Sequence, residues 1–228
     1  MIDNSKITDL IKSKSRVRDH AEVFTPDFIV QDMLDLVKQE SERIDSRFLE
    51  PACGDGNFLA EVLKRKIIVV EQIYWKSQFD CEKNIIVAVS SIYGIDLLID
   101  NIQIARERLY LIIVNIYTKL YKNKIEQKFL VNVQYILSKN IIQGDALSLK
   151  DINNKPIVFS ERSLVDNSKI KRRDFIFDEL INNSNQNIMA QWTLFGDTGE
   201  PVFIPNSIAD FPPIHFLELA TLDHVTQL

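Results

Sequence analysis

From about residue 26 the apolar positions recur with helical and strand periods in turn. At Thr25-Pro26-Asp27 a good N-cap residue precedes a proline favoured at the first helical position, with an acid that suits the helix dipole. Ile29, Met33, Leu34 and Val37 then follow at helical spacing, which predicts a helix over about 26–43. Arg47-Phe48-Leu49-Glu50 reads as a short buried strand ending at Pro51. The small-residue turn Ala52-Cys53-Gly54-Asp55-Gly56-Asn57 follows, and the helical period resumes at Phe58-Leu59-Ala60-Glu61. The pattern from Ile68 to Ser90 is mostly helical, with an interruption between Trp75 and Cys81. Ser91-Ile92-Tyr93-Gly94-Ile95-Asp96 predicts a second strand. A long helix is expected from Asp100 to Tyr121, with Ile104, Leu109, Ile112 and Ile116 on its buried face, and Ile141-Ile142-Gln143-Gly144-Asp145 predicts a third strand.

Strand, glycine turn and helix, repeated over the first 150 residues, are the units of a doubly wound α/β sheet with helices on both faces. Right-handed crossovers bring all three strand ends to one edge. Beyond 150 the pattern changes. Pro156 to Ser160 and Arg173 to Phe177 flank the turn residues Asp166-Asn167-Ser168, which predicts an antiparallel hairpin or two successive edge strands. Gly196, Gly199, Pro201, Pro205, Pro212 and Pro213 interrupt the last forty residues, so that stretch is expected to wrap over the domain or meet a partner. The expected organisation is an N-terminal arm over 1–20, a domain over 21–181 and an irregular tail over 182–228.

The composition, 46% hydrophobic and 26% charged over 228 residues, is that of an ordinary globular chain with one sizeable core. The apolar runs are too short to cross a bilayer, and the N-terminus lacks a signal-peptide pattern, so a cytoplasmic location without membrane contact is expected. Cys53 and Cys81 have no spacing that points to a metal or a redox pair, and no metal site is expected. A formal charge of -5 is the wrong sign for gripping nucleic acid unaided. The clearest basic run is Lys169-Ile170-Lys171-Arg172-Arg173, read either as a solvated hairpin face or as a phosphate contact.

The three strand ends define the chemistry. Gly54 and Gly56 remove side chains, so the chain can turn sharply and a ligand can approach the backbone, and the amides before the next helix can meet a negative group. Asp96 is placed to accept from a ribose diol. Asp145 can accept from an exocyclic purine amine, with Ala146 and Leu147 as an apolar wall.

Taken together, Phe24-Thr25-Pro26, then Phe48 to Phe58, then Tyr93-Gly94-Ile95-Asp96 and Gln143-Gly144-Asp145-Ala146-Leu147 resemble the cofactor-binding motifs of the adenine-specific (N6) DNA methyltransferases. They resemble the branch in which the cofactor region comes first in the chain, as in the modification subunits of restriction systems. The resemblance spans roughly residues 20 to 150. It implies a Rossmann-like sheet and S-adenosyl-L-methionine as cofactor. By the same resemblance, Phe24, Thr25 and Pro26 close over the methionine part, while Glu50, Ala52 and Gly54 line its amino and carboxylate end with Asp55 nearby. Asp96 holds the ribose hydroxyls, Asp145 meets the adenine amine, and Phe58 with Leu97 or Leu147 packs on the adenine ring.

One part of the family's pattern is missing. Its fourth strand ends in Asn or Asp, Pro, Pro and an aromatic, which accept the two hydrogens of the target amine and stack on the flipped base. Here the corresponding strand is read as Asp174 to Leu180, with no prolines after it, so the catalytic residues are unknown. The Pro-Pro at Pro212-Pro213 is read as a loop rigidifier. The chain is therefore expected to bind S-adenosyl-L-methionine and to act on DNA only with a second subunit supplying target recognition or the catalytic segment. The alternatives are a non-catalytic interaction or regulatory protein on the same frame, and a methyltransferase acting on RNA, protein or a small molecule.

Overall fold

The computed structural model describes residues 16, 18, 25–122, 124–182, 194–195, 201–202 and 206–225. Within these it is mixed α/β. Helix α1 (Asp27–Leu36) and the short α2 (Lys38–Glu42) lead into β1 (Phe48–Glu50), which is followed by α3 (Asn57–Tyr74) and α4 (Gln78–Ser90). Next come β2 (Ile92–Asp96), α5 (Ile99–Tyr121), α6 (Gln127–Asn140), β3 (Ile141–Asp145) and the two-residue β4 (Lys150–Asp151). Strands β1, β2 and β3 pair in parallel, with Glu50 opposite Gly94 and Asp96 opposite Gln143, and β4 closes the far edge antiparallel to β3.

The buried stripes of α3, α4, α5 and α6 merge with Ile92 and Ile141 into one core, so these four helices share one face of the sheet. Tyr93 and Ile95 point the other way and pack with Ile157, Phe159 and Phe177. Helices on both faces were the expectation. Instead, the second face carries β5 (Val158–Leu164) and the six-residue helix α7 (Phe177–Asn182). The alternating apolar residues of 157–176 are spent on antiparallel pairing of β5 with β6 (Lys169–Ile176), whose turn is tied by Asp166 Oδ1 accepting from the amides of Ser168 and Lys169. The segment read as a fourth strand ending the sheet is thus the end of a hairpin strand and a turn of helix. A two-residue pair, β7 (Leu194–Phe195) with β8 (Pro201–Val202), forms a sheet of its own. Strands β9 (Ala209–Asp210) and β10 (Ile214–His215) both add to β6, and Phe216, Leu219 and Leu222 are buried in the helical core. The Pro212-Pro213 pair bridges β9 and β10, in keeping with a rigid loop.

Local differences have local reasons. Pro26, not Thr25, is the N-cap of α1, and its carbonyl accepts from the amides of Ile29 and Val30. The predicted helix over 26–43 breaks at Val37 (φ -120°, ψ 37°), where residue 37 leaves the helical region. Its inward face is Val30 and Leu34, leaving Ile29, Met33 and Val37 exposed. The buried stripe of α5 runs through Ile102, Ala105, Leu109, Ile113 and Tyr117, so Ile104 faces outward. Ser77 caps α4 by accepting from the Asp80 amide, which confines the interruption to residues 75–77. Helix α6, whose amphipathic period starts at Phe129, was not predicted at all.

Two features hold β1 in place. Gly94 sits on the helical face of β2, where an added Cβ would lie 2.9 Å from Leu59 Cδ1 and 3.0 Å from Cys53 Sγ. Lys66 on α3 is fully buried, and its Nζ donates to the carbonyls of Arg43, Ile44 and Ser46 and to Ser91 Oγ, pinning the approach to β1 against the start of β2. Burial pulls the Lys66 pKa down to about 7, against the opposing fields of Asp45 and Glu40.

Gly94→Ala is expected to lower unfolding stability by about 1–3 kcal/mol through overpacking, read from urea denaturation. Lys66→Met, which strips the donor from four oxygens, is expected to cost about 2–4 kcal/mol. Because the folded-state pKa of Lys66 lies below its unfolded value, the unfolded chain holds the extra proton between about 7 and the ordinary lysine range. Wild-type stability should therefore climb with pH over that window, and the climb should vanish in Lys66→Met.

Candidate functional site: a crevice at three strand ends

The C-terminal ends of β1, β2 and β3 open on one crevice of about 560 Å³. It brings together Thr25, Glu50, Ala52, Gly54, Asp55, Phe58, Asp96, Leu97, Asp145, Ala146 and also Leu147, from segments more than a hundred residues apart. Of the residues assigned to the cofactor from sequence, Pro26 is not in the lining; its carbonyl caps α1. Phe24 lies outside the described residues.

The first strand end is a turn folded onto the second. The Cys53 amide donates to the Ile95 carbonyl, and the Gly54 amide donates to Asp96 Oδ2 at 3.0 Å. Gly56 takes φ +82° just before α3, and an added Cβ there would come within 2.9 Å of Ala105 Cβ, so the turn and α5 approach as only glycine permits. The Gly56 amide donates to the Cys53 carbonyl. The expectation that these amides greet an anion is thus corrected at Gly54 and Gly56, whose N–H groups are used internally. What the turn presents to the crevice is a side-chain-free surface.

The acids differ in how committed they are. Asp55 is bound by Arg108 of α5, with Nη2 to Oδ2 at 2.7 Å. Asp96 Oδ1 accepts from the Leu98 amide at 2.8 Å and from Asn101 Nδ2 at 3.2 Å. With one bond on Oδ2 as well, Asp96 is rigidly aimed and keeps acceptor capacity on Oδ2. Asp145 Oδ1 accepts from the Leu147 amide, and hydrogen bonds from the Ser148 hydroxyl and then the Leu147 amide hold its carboxyl below the ordinary range. Glu50 is different: half-buried at the end of β1, its carboxyl is pushed up by desolvation, against the one hydrogen bond from the Ala52 amide. A partly dehydrated carboxylate facing a crevice is a receptor for a cation. Burial, with the fields of Asp96 and Glu50, also raises the Cys53 thiol, which keeps it inert.

Several contributors had no clear sequence signal. Asn57 Nδ2 donates to the Thr25 carbonyl at 3.0 Å and to Asp27 Oδ1 at 2.9 Å, clamping the 25–27 segment over the glycine turn. Gln143 Nε2 donates to the Leu97 carbonyl at 3.0 Å, tying the ends of β3 and β2. Arg16 reaches Asp100 Oδ2 at 2.6 Å and Asn101 Oδ1 at 3.1 Å. Asn101 alone had a readable cue, a polar residue beside the buried stripe of a helix, where an amide needs a partner. Three of the four cations of the basic run are paired: Lys171 with Asp210, Arg172 with Asp174 and Asp223, and Arg173 with Glu161.

Among the described residues no helix is long and apolar enough to cross a membrane, and no cluster of His, Cys, Asp or Glu is arranged to hold a metal. A family model described as MmeI, DNA-methyltransferase domain, matches residues 29–163, which contain β1, β2, β3 and nearly all of the crevice. No curated protein and no solved structure matches the chain.

The raised pKa of Glu50 gives a signed expectation. Its contribution to stability is present below the ordinary glutamate range and is lost as pH rises through the folded-state value. Glu50→Gln should therefore be more stable than wild type near pH 7 and no different near pH 3.5, about one unit below the free glutamate range, in urea midpoints taken across that interval.

Proposed function

The chain belongs to the MmeI DNA-methyltransferase domain family, and on that premise we propose that it is the cofactor-binding component of a restriction-modification DNA adenine N6-methyltransferase. The observation that carries the reading is the convergence of Glu50, the open glycine turn, Asp96 and Asp145 on one crevice. Its volume falls within the roughly 300–1,000 Å³ usual for small-molecule sites.

The residues present fit S-adenosyl-L-methionine. Glu50 would receive the cationic amino end, and the bare backbone at Ala52 to Gly54 would leave room for the carboxylate arm. Asp96, held in orientation by Gly54, Leu98 and Asn101, would accept from the ribose hydroxyls. Asp145 would meet the adenine amine through its remaining oxygen, with Phe58, Leu97 and Ala146 against the ring. Thr25, clamped by Asn57, would cover the methionine end. Bound there, the cofactor supplies an activated methyl group on a sulfonium; the chain's own residues bind and orient it and keep water from its apolar side. Adenine as the target base rests on the likeness of Phe24-Thr25-Pro26 and the ordered motifs to that branch.

DNA would be engaged with a second subunit, because the net charge is -5 and the cations at 171–173 are already paired. One observation favours the second reading, a non-catalytic binding protein on this frame: residues 174–180 form a hairpin end and a helical turn, not a strand carrying base-gripping residues into the crevice.

Calorimetric titration of the purified chain with S-adenosyl-L-methionine is expected to show micromolar binding, weakened about tenfold or more, roughly 1.4 kcal/mol, in Asp96→Ala. Asn101→Ala, which removes one support of Asp96, should weaken it by a smaller factor, and DNA incubated with labelled cofactor and this chain alone should gain no label. Absence of binding at millimolar cofactor sinks the reading.

A further inference from the structure

The β5–β6 hairpin sets two arginines against each other. Arg162 and Arg172 are direct cross-strand partners, and both are buried. Side chains at opposed positions project from the same face of a sheet, so two like charges share one interior and each needs a counter-charge. Arg172 has one: its Nε and Nη2 donate to Oδ1 and Oδ2 of Asp174 at 2.8 and 2.7 Å, and its Nη1 donates to Asp223. Arg162 has neutral acceptors instead. Its Nη1 donates to Asn140 Oδ1 at 2.8 Å and to the Ser160 carbonyl at 3.2 Å, while Nε and Nη2 are closed to solvent and have no acceptor among the described residues. These two N–H groups lie along one edge of the guanidinium plane, the edge by which Arg172 holds both oxygens of Asp174. Burial pulls the Arg162 pKa down, and the field of Arg172 adds to the effect.

Arg162 lines a cavity of about 570 Å³ that also takes in Arg47 and Ser91, the residues immediately before β1 and β2, so it lies at the end of the sheet opposite the crevice. Ser90 lines it too, is 3% exposed, and has an Oγ without a partner among the described residues. Asn140 joins the two, with Nδ2 donating to the Ser90 carbonyl at 3.3 Å and Oδ1 accepting from Arg162. The other charges of the lining are matched: Arg43 with Asp45, Arg47 with Glu161, and Glu42 with Lys38. We propose that this cavity binds a small organic molecule through an oxyanion head, phosphate or carboxylate, whose oxygens accept from Nε and Nη2 of Arg162 and from the Ser90 hydroxyl. The volume is that of a small-molecule site and far exceeds what an inorganic ion fills, and Val69 and Val87 give the body of the ligand an apolar wall. Duplex DNA is a poor occupant, because Arg162 is 7% exposed and a duplex meets cations that project from a surface. The inference is independent of the cofactor reading.

The Nε–H signal of Arg162 reports on the site directly in nitrogen–proton NMR spectra of the whole chain, and its contact with the Tyr135 ring assigns it. Inorganic phosphate, butyl phosphate, acetate and hexanoate are titrated in turn at constant ionic strength set with sodium chloride, and duplex DNA is a separate arm. The signal is expected to move downfield and saturate, with butyl phosphate binding about tenfold or more tighter than phosphate and hexanoate likewise tighter than acetate. Ser90→Ala should weaken both organic ligands severalfold. The same ligands should raise the thermal unfolding midpoint of the wild type by more than that of Arg162→Lys, which keeps a charge but loses the paired donors; the general salting effect is common to both. A signal that stays fixed with every small anion overturns the proposal, whether or not Arg162→Lys folds. Equal midpoint gains in wild type and Arg162→Lys overturn it as well. Equal affinity for inorganic and butyl phosphate assigns the cavity to a free ion, and a response to DNA alone assigns Arg162 to a phosphodiester; either result sinks the organic ligand.

Discussion

At Gly94 helix and sheet approach closely, with Leu59 of α3 and Cys53 of the glycine turn occupying the space a side chain would need. Because that position is empty, the turn lies flat on β2 and the Cys53 and Gly54 amides reach the Ile95 carbonyl and Asp96. The same approach seats α3 on the sheet, and Lys66 from that helix then gathers the carbonyls that precede β1. The crevice is thus a consequence of packing at one strand centre, reached through a chain of hydrogen bonds and not through any property of the acids themselves.

Preorganisation of the acids follows. Asp96 is held by two amides and an asparagine, and Asp145 by its own turn, so both enter the crevice with their orientation already fixed. Ordering a carboxylate before a ligand arrives reduces the entropy lost on binding, and the remaining lone pairs are the ones that can discriminate. Glu50 has little such support and carries the desolvation instead, which makes it the group with most to gain from a cation.

The hairpin and the edge are two sides of one arrangement. Residues 157–176 cover the second face of the sheet as an antiparallel unit and are reinforced by β9 and β10 from the C-terminal part, with Arg172 linking Asp174, Tyr135 and Asp223. That arrangement leaves β1 without an outer neighbour among the described residues, while Phe159 of the hairpin packs edge to face on Tyr93 and Phe177.

Period and punctuation determined much of this protein before any tertiary contact was known. The three parallel strands, their terminal acids Glu50, Asp96 and Asp145, and the turn at Gly54 and Gly56 were all legible, because apolar runs of strand length bounded by small residues have few other solutions. The shift from βα units to a hairpin after residue 150 was legible for the same reason. Tertiary structure decided what depends on neighbours distant in sequence: that Val30 and Leu34, not Ile29 and Met33, face inward; that Pro26 is spent as a cap; that Asp55 belongs to Arg108; and that the long helices share one face. A local pattern reports the period of an element but not which of two nearly equivalent stripes the opposing surface will accept, and a carboxylate's partner fifty residues away leaves no mark on the sequence around it.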